Sequence, residues 1–468
     1  MRKILNVSSL RVKASRIAGV SISLFIVASL QSGAVADTLS EALVHAYVGN
    51  PQLRAQRADT RATDENLPNA MAGYHPTANA SADGGLLREE YAIPGANGGK
   101  LHYLSHPAGG SVQLTQNLFN GFRTQNQVRL AQSQIMASRN TLQYTELSVL
   151  ASAASAYMDV LRDSAILALR KSNTRVLEQQ LADTKLRLKD GEVTRTDLAQ
   201  AEAALSQGQV DLTGAQTNLK GSVAIYEQVI GVAPKSLTPA KPPVALLPHN
   251  IDEAFRISDA EHPLNLAAKH NVDAAEHTIK IEEGQLLPTL NVTASTSPNY
   301  NYQSIEKEKY YNTAITAQLN VPLYDGGSTY SLIRQAKNKL EQAQALADQQ
   351  RAQVRSSVAA SFAAWDNSHK MIADAGKEVR QNEAALAGVR EEARLGQRTT
   401  FDVLYAQQSL LNARILYVTA QHDQIIASFS LLAASGRLSA EALGLNAPRY
   451  DPTDHFERVK DKWFGTNP

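Results

Sequence analysis

The chain contains no cysteine in 468 residues, which excludes disulfide bridges, thiolate metal sites and a cysteine nucleophile. The same absence removes the residue on which a bacterial lipoprotein anchor is built. Aromatic residues make up only 6%. Beyond the N-terminal region, no apolar run approaches the ~18 residues that indicate a transmembrane helix. The net charge is only +1, which argues against electrostatic binding of nucleic acid.

The N-terminal region has the features of a targeting signal. Basic residues are frequent up to Arg16, an apolar core follows over residues 17–30, and small residues precede Asp37. This order is typical of a secretory signal peptide, so we predict that residues 1–36 are removed on export. The apolar core is too short to span a membrane comfortably, which disfavours the alternative of an uncleaved anchor.

The rest of the chain repeats itself. Residues 39–43, LSEAL, return 212 positions later as IDEAF at residues 251–255. Residues 118–121, LFNG, return 205 positions later as LYDG at residues 323–326. The spacing changes only once, between predicted strands, where a loop can absorb the difference. A duplication this regular predicts two copies of one structural unit within a single architecture.

Four segments alternate between apolar and polar residues with period two, which predicts strands with one apolar and one polar face. They cover residues 77–83, 111–118, 289–295 and 314–321. Their polar face carries Asn, Gln, Thr and Ser with little charge, which suits the lumen of an outer-membrane barrel. Aromatic residues near the strand ends suit its two interfaces: Tyr300, Tyr302, Tyr310, Tyr311, Phe119, Phe122 and Tyr324. An ordinary soluble sheet is the alternative, because the pattern in each segment is weak.

These strands are too few to close a membrane barrel, which needs about eight. An open sheet edge in lipid would leave backbone groups without hydrogen bonds. Several chains must therefore contribute strands to one barrel if the strands lie in a membrane. A dimer would supply eight strands and a trimer twelve, and the strand pattern alone does not choose between them.

Two segments without proline, residues 121–189 and 327–395, are predicted to be helical. At 1.5 Å per residue each would be ~100 Å long, whereas globular helices usually have ~8–20 residues. Shorter helices are predicted at residues 194–230 and 399–435. A plain coiled-coil rod would explain the helices, but it would not explain the alternating strands.

Gly191 and Gly396 mark the reversals between each long helix and its shorter partner. Thr194 with Asp197, and Thr399 with Asp402, then form capping-box patterns at the starts of the partners. The predicted order therefore begins with a signal peptide (1–36) and a first repeat (37–231), whose strand hairpin lies at about 76–119. A proline-rich linker (232–250) follows, and then a second repeat (251–436), whose strand hairpin lies at about 288–324. The last segment is a tail (437–468) without a recognisable motif.

Signatures of catalysis are missing from the sequence. There is no HExxH, no GxSxG and no glycine-lysine phosphate loop. The eleven histidines lack metal-ligand spacing, and we interpret His262, His369 and His422 as surface or packing residues of helices. We therefore expect no enzyme activity, no metal and no cofactor.

Taken together, these landmarks resemble the TolC family of outer-membrane efflux and secretion ducts. The most specific matches are Leu39-x-Glu41-Ala42 with Asn50-Pro51, Leu287-Pro288-x-Leu290, residues 321–327 (VPLYDGG) and residues 396–404 (GxRTxxDVL). The resemblance implies a mainly α-helical homotrimer whose twelve-stranded outer-membrane β-barrel continues into a long periplasmic α-helical barrel. It also implies a periplasmic adaptor protein and an inner-membrane RND pump or ABC exporter as partners.

The resemblance also implies roles for residues at the helix reversals. Thr196, Asp197 and Arg398 match positions that hold the periplasmic entrance of the duct closed, although Ala393 replaces one linking tyrosine of the family. Asp402 matches the first of two acidic rings at the constriction, while Tyr405 replaces the second. Three copies of Asp402 would still favour cations, but the loss of the second ring argues against strong selectivity.

Each of these roles has a simpler structural alternative. Asp197 and Asp402 would also serve as helix caps, and Arg398 would also suit a solvated turn. The reversals themselves are candidate docking sites for the adaptor, through Leu188, Gly191, Val193, Leu395 and Gly396. Burial in the core is the alternative for the three apolar residues of that set.

We hypothesise a passive exit duct in the outer membrane that extends into the periplasm and is gated at its periplasmic end. Drug efflux and type I protein secretion both fit this hypothesis. The alternative from another class is a periplasmic coiled-coil scaffold that never enters the membrane.

Overall fold

A computed structural model describes residues 37–92, 100–301 and 307–467. The predicted signal peptide and Tyr302 lie outside the described residues. In the first half the elements are α1 (Leu39–Gly49), α2 (Pro51–Asp64), α3 (Asn66–Met71), β1 (Thr77–Gly84), β2 (Leu87–Ala92), β3 (Lys100–Ser105), β4 (Ala108–Phe119), α4 (Arg123–Lys189) and α5 (Arg195–Ile230). In the second half they are α6 (Ile251–Glu261), α7 (Pro263–Glu283), β5 (Thr289–Tyr300), β6 (Lys309–Asn320), α8 (Ser328–Arg394), α9 (Thr400–Ala434) and α10 (Thr453–Val459).

The starts of the short helices are fixed by the repeated sequence. Thr38 caps α1 in a capping box with Glu41. In the second half Asn250 caps α6 by accepting a hydrogen bond from the Glu253 amide at 2.8 Å. Proline follows the cap of both α2 and α7, at Pro51 and Pro263, where a missing amide hydrogen costs nothing.

The two long helices α4 and α8 each have 67 residues. The main hydrophobic core lies midway along α4, where alanines let neighbouring helices approach closely: Ala153 and Ala154 are completely buried. Tyr157 is also buried there, and its hydroxyl lies 2.7 Å from the carbonyl oxygen of Thr238 in the linker. The linker is therefore attached to the middle of α4.

The main sheet has four antiparallel strands in the order β1-β4-β5-β6. Its register places apolar residues opposite one another on one face: Leu114 lies opposite Ala294, which in turn lies opposite Ile315. The other face carries polar pairs such as Ser81 and Ser111, whose hydroxyls are 2.9 Å apart. Gln116, which interrupts the alternation, turns its amide to the carbonyl oxygen of Tyr74 at 3.0 Å.

The two hairpins have the same register. Thr77 pairs with Thr115 in the first hairpin. Moving these positions by 212 and 205 residues gives Thr289 and Asn320, which are paired in the second hairpin. The repeated sequence therefore forms a repeated structure down to individual residue pairs.

Two features differ from the prediction. Residues 76–119 contain four strands rather than two, because β2 and β3 form a separate two-stranded ribbon between β1 and β4. Charged residues in β2 break the alternation that would have indicated a strand. The tail, for which no helix or strand was predicted, contains α10, in which His455 and Val459 are buried.

Candidate functional site

The two helix reversals, called tip 1 (residues 187–197) and tip 2 (residues 392–402), have the same backbone geometry. Gly191 and Gly396 adopt φ of 77° and 76°, a left-handed conformation that favours glycine. Backbone hydrogen bonds close both turns, from Glu192 to the Arg187 carbonyl and from Gln397 to the Glu392 carbonyl, each at 2.9 Å. The two helical hairpins therefore end in the same type of turn.

Both predicted capping boxes are formed. The amide of Asp197 donates to the Thr194 hydroxyl at 3.2 Å, and the amide of Asp402 donates to the Thr399 hydroxyl at 3.2 Å. In return each aspartate accepts from its threonine, and this lowers the pKa of both carboxyl groups. The hydroxyl of Thr194 is the main cause for Asp197, and the backbone amide of Thr399 is the main cause for Asp402. Both caps are therefore charged at neutral pH.

Each tip also contains an arginine–glutamate pair, but the two pairs have opposite polarity. In tip 1 the Nε atom of Arg187 on the helix lies 3.0 Å from Glu192 in the turn. In tip 2 the helix supplies Glu392, which lies 2.8 Å from the Nε atom of Arg398 in the turn. Glu392 occupies the repeat position of Arg187, 205 residues later. Arg187 and Glu392 were not among the predicted site residues, although this charge reversal is visible in the repeated sequence.

The structure brings some of the predicted residues together and leaves others apart. Thr196 and Asp197 share the first turn of α5, while Asp402 and Tyr405 lie one turn apart on α9. Among the described residues no ion pair joins Asp197 to Arg398, because each bonds within its own tip. A bond between Asp197 and Arg398 would therefore require tip 1 and tip 2 to be placed differently from their positions within this one chain.

The apolar tip residues are not part of the core of this chain. Leu395 is 63% exposed, and Leu188 and Val193 are half-buried. Tyr405 is 68% exposed and stacks on Phe401, with ring centroids 6.4 Å apart. The tips therefore present exposed apolar and aromatic surface.

The apolar face of the sheet is exposed in the same way. Ile315 is 77% exposed and Leu319 is 63% exposed, both on β6. Among the described residues, strands β1 and β6 form the two edges of the sheet, and each pairs on one side only. None of the helices in the described ranges is both long and apolar enough to cross a bilayer. Those ranges also contain no group of three or more His, Asp or Glu residues that could hold a metal ion.

An antiparallel sheet with one exposed apolar face, continuous with helices of 67 residues, defines the chain as one subunit of an outer-membrane channel with an α-helical extension. Residues 42–232 and 259–437 match the outer membrane efflux protein family, and the chain belongs to it. The outer membrane efflux protein BepC of Brucella suis biovar 1 (strain 1330) is 38% identical over 435 residues, which cover 92% of each chain.

More distant proteins also match over most of the chain. The outer membrane protein TolC of Escherichia coli (strain K12) is 24% identical over 428 residues, 87% of this chain and 84% of that protein. The Campylobacter jejuni CmeC outer membrane channel matches with a TM-score of 0.77 at 14% identity, over 90% of this chain and 89% of that one. The predicted TolC-type fold is thereby confirmed.

These likenesses also confirm the predicted location and class of function. The chain is an outer-membrane protein and serves as an exit duct for efflux or secretion. The alternative of a periplasmic scaffold that never enters the membrane is wrong, because the family members that match almost the whole chain are outer-membrane proteins.

Proposed function

We propose that three copies of this chain form a passive duct that receives its cargo from a periplasmic adaptor and an inner-membrane RND pump or ABC exporter. The observation that carries this proposal is the four-stranded sheet with one apolar face and two unpaired edges. In lipid those edges require partners, and three such sheets supply the twelve strands of a closed barrel. The likeness to the efflux protein BepC supports efflux as the transport served. No enzymatic step is part of the proposal.

The internal repeat predicts how neighbouring chains pair. Within one chain β4 of the first repeat pairs with β5 of the second, with Leu114 opposite Ala294. The equivalent pairing for β6 is with β1 of the next chain. Moving Leu114 forward by 205 positions and Ala294 back by 212 places Leu319 opposite Ala82 of that chain.

Two observations support this register. First, Leu319 and Ala82 both lie on the apolar faces of their strands, whereas a register shifted by one residue would place an apolar residue opposite a polar one. Second, a Cβ atom on Gly121 would collide with the carbonyl of Gly284, whereas a Cβ atom on its repeat equivalent Gly326 would meet no atom within 4 Å. The empty place beside Gly326 is where the next chain would pack.

Cysteine cross-linking tests both the trimer and the register, and the natural absence of cysteine leaves no background. We expect the double variant Ala82→Cys/Leu319→Cys to form covalent trimers when outer membranes are oxidised, because directly opposed residues lie ~4.5–5.5 Å apart. The control Ala80→Cys/Leu319→Cys keeps the same face but is displaced by two residues, so it should cross-link poorly. Equal or stronger linking in the control would show a different register. No linking in either variant would contradict the pairing of β6 with β1.

We further propose that the six tips of a trimer form the gated periplasmic entrance. Thr196, Asp197 and Arg398 would link neighbouring tips, and Asp402 would form the acidic constriction beside Tyr405. The surface around Leu188, Gly191, Val193, Leu395 and Gly396 would dock the adaptor. The exposure of Leu395 and the half-exposure of Leu188 and Val193 support this role, because core residues would be buried.

A further inference from the structure

The tail beyond Gly436 follows helix α2 from its start to past its end, where the sheet begins. Tyr450 donates its backbone amide to the Tyr47 hydroxyl, just before α2, at 3.2 Å. Its ring stacks on the guanidinium group of Arg57, in the middle of α2, at 4.9 Å. His455 then reaches Asp64, the last residue of α2, at 3.1 Å. We call residues 437–467 the strap.

The contact near the end of α2 fixes the strap in position. The side chains of Asp64 and His455 are 0% and 5% exposed. The ring of Phe456 lies 4.9 Å from the guanidinium group of Arg139 on α4, which itself approaches Asp64 to 3.8 Å. A buried charge with paired neighbours is expensive to separate, so this cluster holds α10 against α2 and α4.

Beyond α10 the strap ends in two exposed aromatic residues. The indole of Trp463 stacks on His75 with ring centroids 3.8 Å apart, yet Trp463 remains 58% exposed. Phe464 beside it is 85% exposed. His75 stands two residues before β1, so the aromatic pair lies at the junction between helices and sheet. The stacking on His75 holds the indole at this junction and leaves much of its surface free.

That junction is also where the apolar face of the sheet begins. Leu323 and Tyr324, which follow β6, are 93% and 80% exposed, and Phe122 after β4 is 56% exposed. His75, on which the indole stacks, precedes the first residue of β1 by only two residues, or ~7 Å of extended chain. The headgroup layer on each side of a bilayer is ~5–8 Å thick. The strap therefore ends beside the helical end of the sheet, where the interface would lie if the sheet spans the bilayer.

We propose that Trp463 and Phe464 form an interfacial anchor that inserts into the phospholipid on the periplasmic side of the outer membrane. This inference rests on the proposed duct, because it requires the sheet to lie in lipid. Tryptophan is enriched at such interfaces because its ring is apolar while its N–H group remains hydrated. Both residues expose apolar surface at the helical end of a sheet whose apolar face is also exposed, which favours lipid over a second protein as the occupant.

Tryptophan fluorescence can test the proposal, because the chain has only two tryptophans and Trp365 is buried. The variant Trp365→Phe leaves Trp463 as the only tryptophan. We would reconstitute this variant into vesicles containing phosphatidylcholine brominated either near the headgroup or near the chain ends. We expect lipid brominated near the headgroup to remove most of the Trp463 emission and lipid brominated near the chain ends to remove little.

A second protein separates failure of the anchor from failure of the duct. Ile315→Trp, placed in a Trp365→Phe/Trp463→Phe background, reports on the lipid-facing side of β6 and should be quenched by the deeper bromines. Quenching there but not at Trp463 would overturn the anchor and leave the duct intact. Protection of Trp463 from both lipid bromine and aqueous acrylamide would assign it to a contact between copies of the chain, which also overturns the anchor. Absence of quenching at both positions would contradict insertion of the sheet itself.

Discussion

At the scale of single residues, capping and gating make different demands on the same tips. Asp197 and Asp402 satisfy the amides at the starts of α5 and α9, so neither needs a partner in another chain. Arg398 differs, because its only carboxylate partner among the described residues is Glu392, and both side chains are about half exposed. A solvent-exposed pair of this kind is easily exchanged for another partner. Arg398 is therefore the tip residue most able to link neighbouring hairpins.

Replacing Arg398 should open the entrance. We expect Arg398→Ala to increase single-channel conductance in planar bilayers, because the directional bond from guanidinium to carboxylate is lost. The matched control is Glu392→Gln, which breaks the pair within the tip but leaves the guanidinium free to link tips. If both variants raise conductance equally, Arg398 acts only within its own tip and the proposed gate is contradicted.

A substitution that removes only a helix cap should change stability rather than conductance. We expect Thr194→Ala to lower stability by about 1 kcal/mol, because the amide of Asp197 loses its acceptor. Conductance should stay unchanged, since the turn at Gly191 is closed by its own backbone bonds. Thermal unfolding and conductance measured on the same preparation would check this. A rise in conductance would show that the cap and the gate are coupled.

At the scale of elements, the sequence predicted what depends on local pattern. The long helices, the four strands of the main sheet and both capping boxes follow from periodicity and spacing along the chain. The ribbon of β2 and β3 did not, because residues such as Glu89 and Glu90 interrupt the alternation. The pairing of Arg398 with Glu392 was not predicted either, because it forms only when the turn brings the two residues together. The strap escaped prediction because His455 and Asp64 are 391 residues apart.

The strap should detach when its buried pair is broken. We expect His455→Ala to destabilise the strap by about 1–3 kcal/mol, because Asp64 loses its hydrogen-bond partner in a buried place. Trypsin should then cleave the tail at Arg458, Lys460 or Lys462 faster than in the wild-type protein. The control is His249→Ala, which changes an exposed histidine of the linker. Equal cleavage rates in the two variants would show that the pair does not hold the strap.

At the scale of the whole molecule, two repeats in each of three chains would give six similar units, but the contacts between units cannot all be alike. Where α4 meets α9 within a chain, His422 lies 3.0 Å from Asp159 and 2.8 Å from Asp423, with Arg162 beside it. The repeat positions of Asp159, Arg162 and His422 are Ala364, Asn367 and Thr217. The contact between α8 and α5 of the next chain would therefore lack this charged cluster. In the proposed trimer this charged cluster would therefore occur three times around the axis, not six.

The cluster makes the contact inside each chain sensitive to pH. Burial opposes the charge on His422, but its hydrogen bonds to Asp159 and Asp423 outweigh burial and raise the pKa of the imidazole. The nearby charged groups are Asp159, Arg162 and Asp163 on α4 and Asp423 on α9. Because the pKa is raised on folding, the stabilisation is complete below the unfolded value of ~6.5 and is lost as pH rises through the folded value.

His422→Gln should therefore cost stability at low pH and little at high pH. Near pH 5.5 we expect a loss of about 1.5–3 kcal/mol, the contribution of a hydrogen bond to a charged group, seen as a lower unfolding temperature. As pH rises through the raised pKa of His422, the unfolding temperatures of the wild-type protein and the variant should converge, because the imidazole loses its charge. The control is His369→Gln on α8, which changes an exposed histidine whose ring contacts Gln424 rather than a carboxylate. A difference between wild type and His422→Gln that grows towards high pH would mean that His422 is held neutral, and the proposed electrostatic asymmetry between the two kinds of contact would then be wrong.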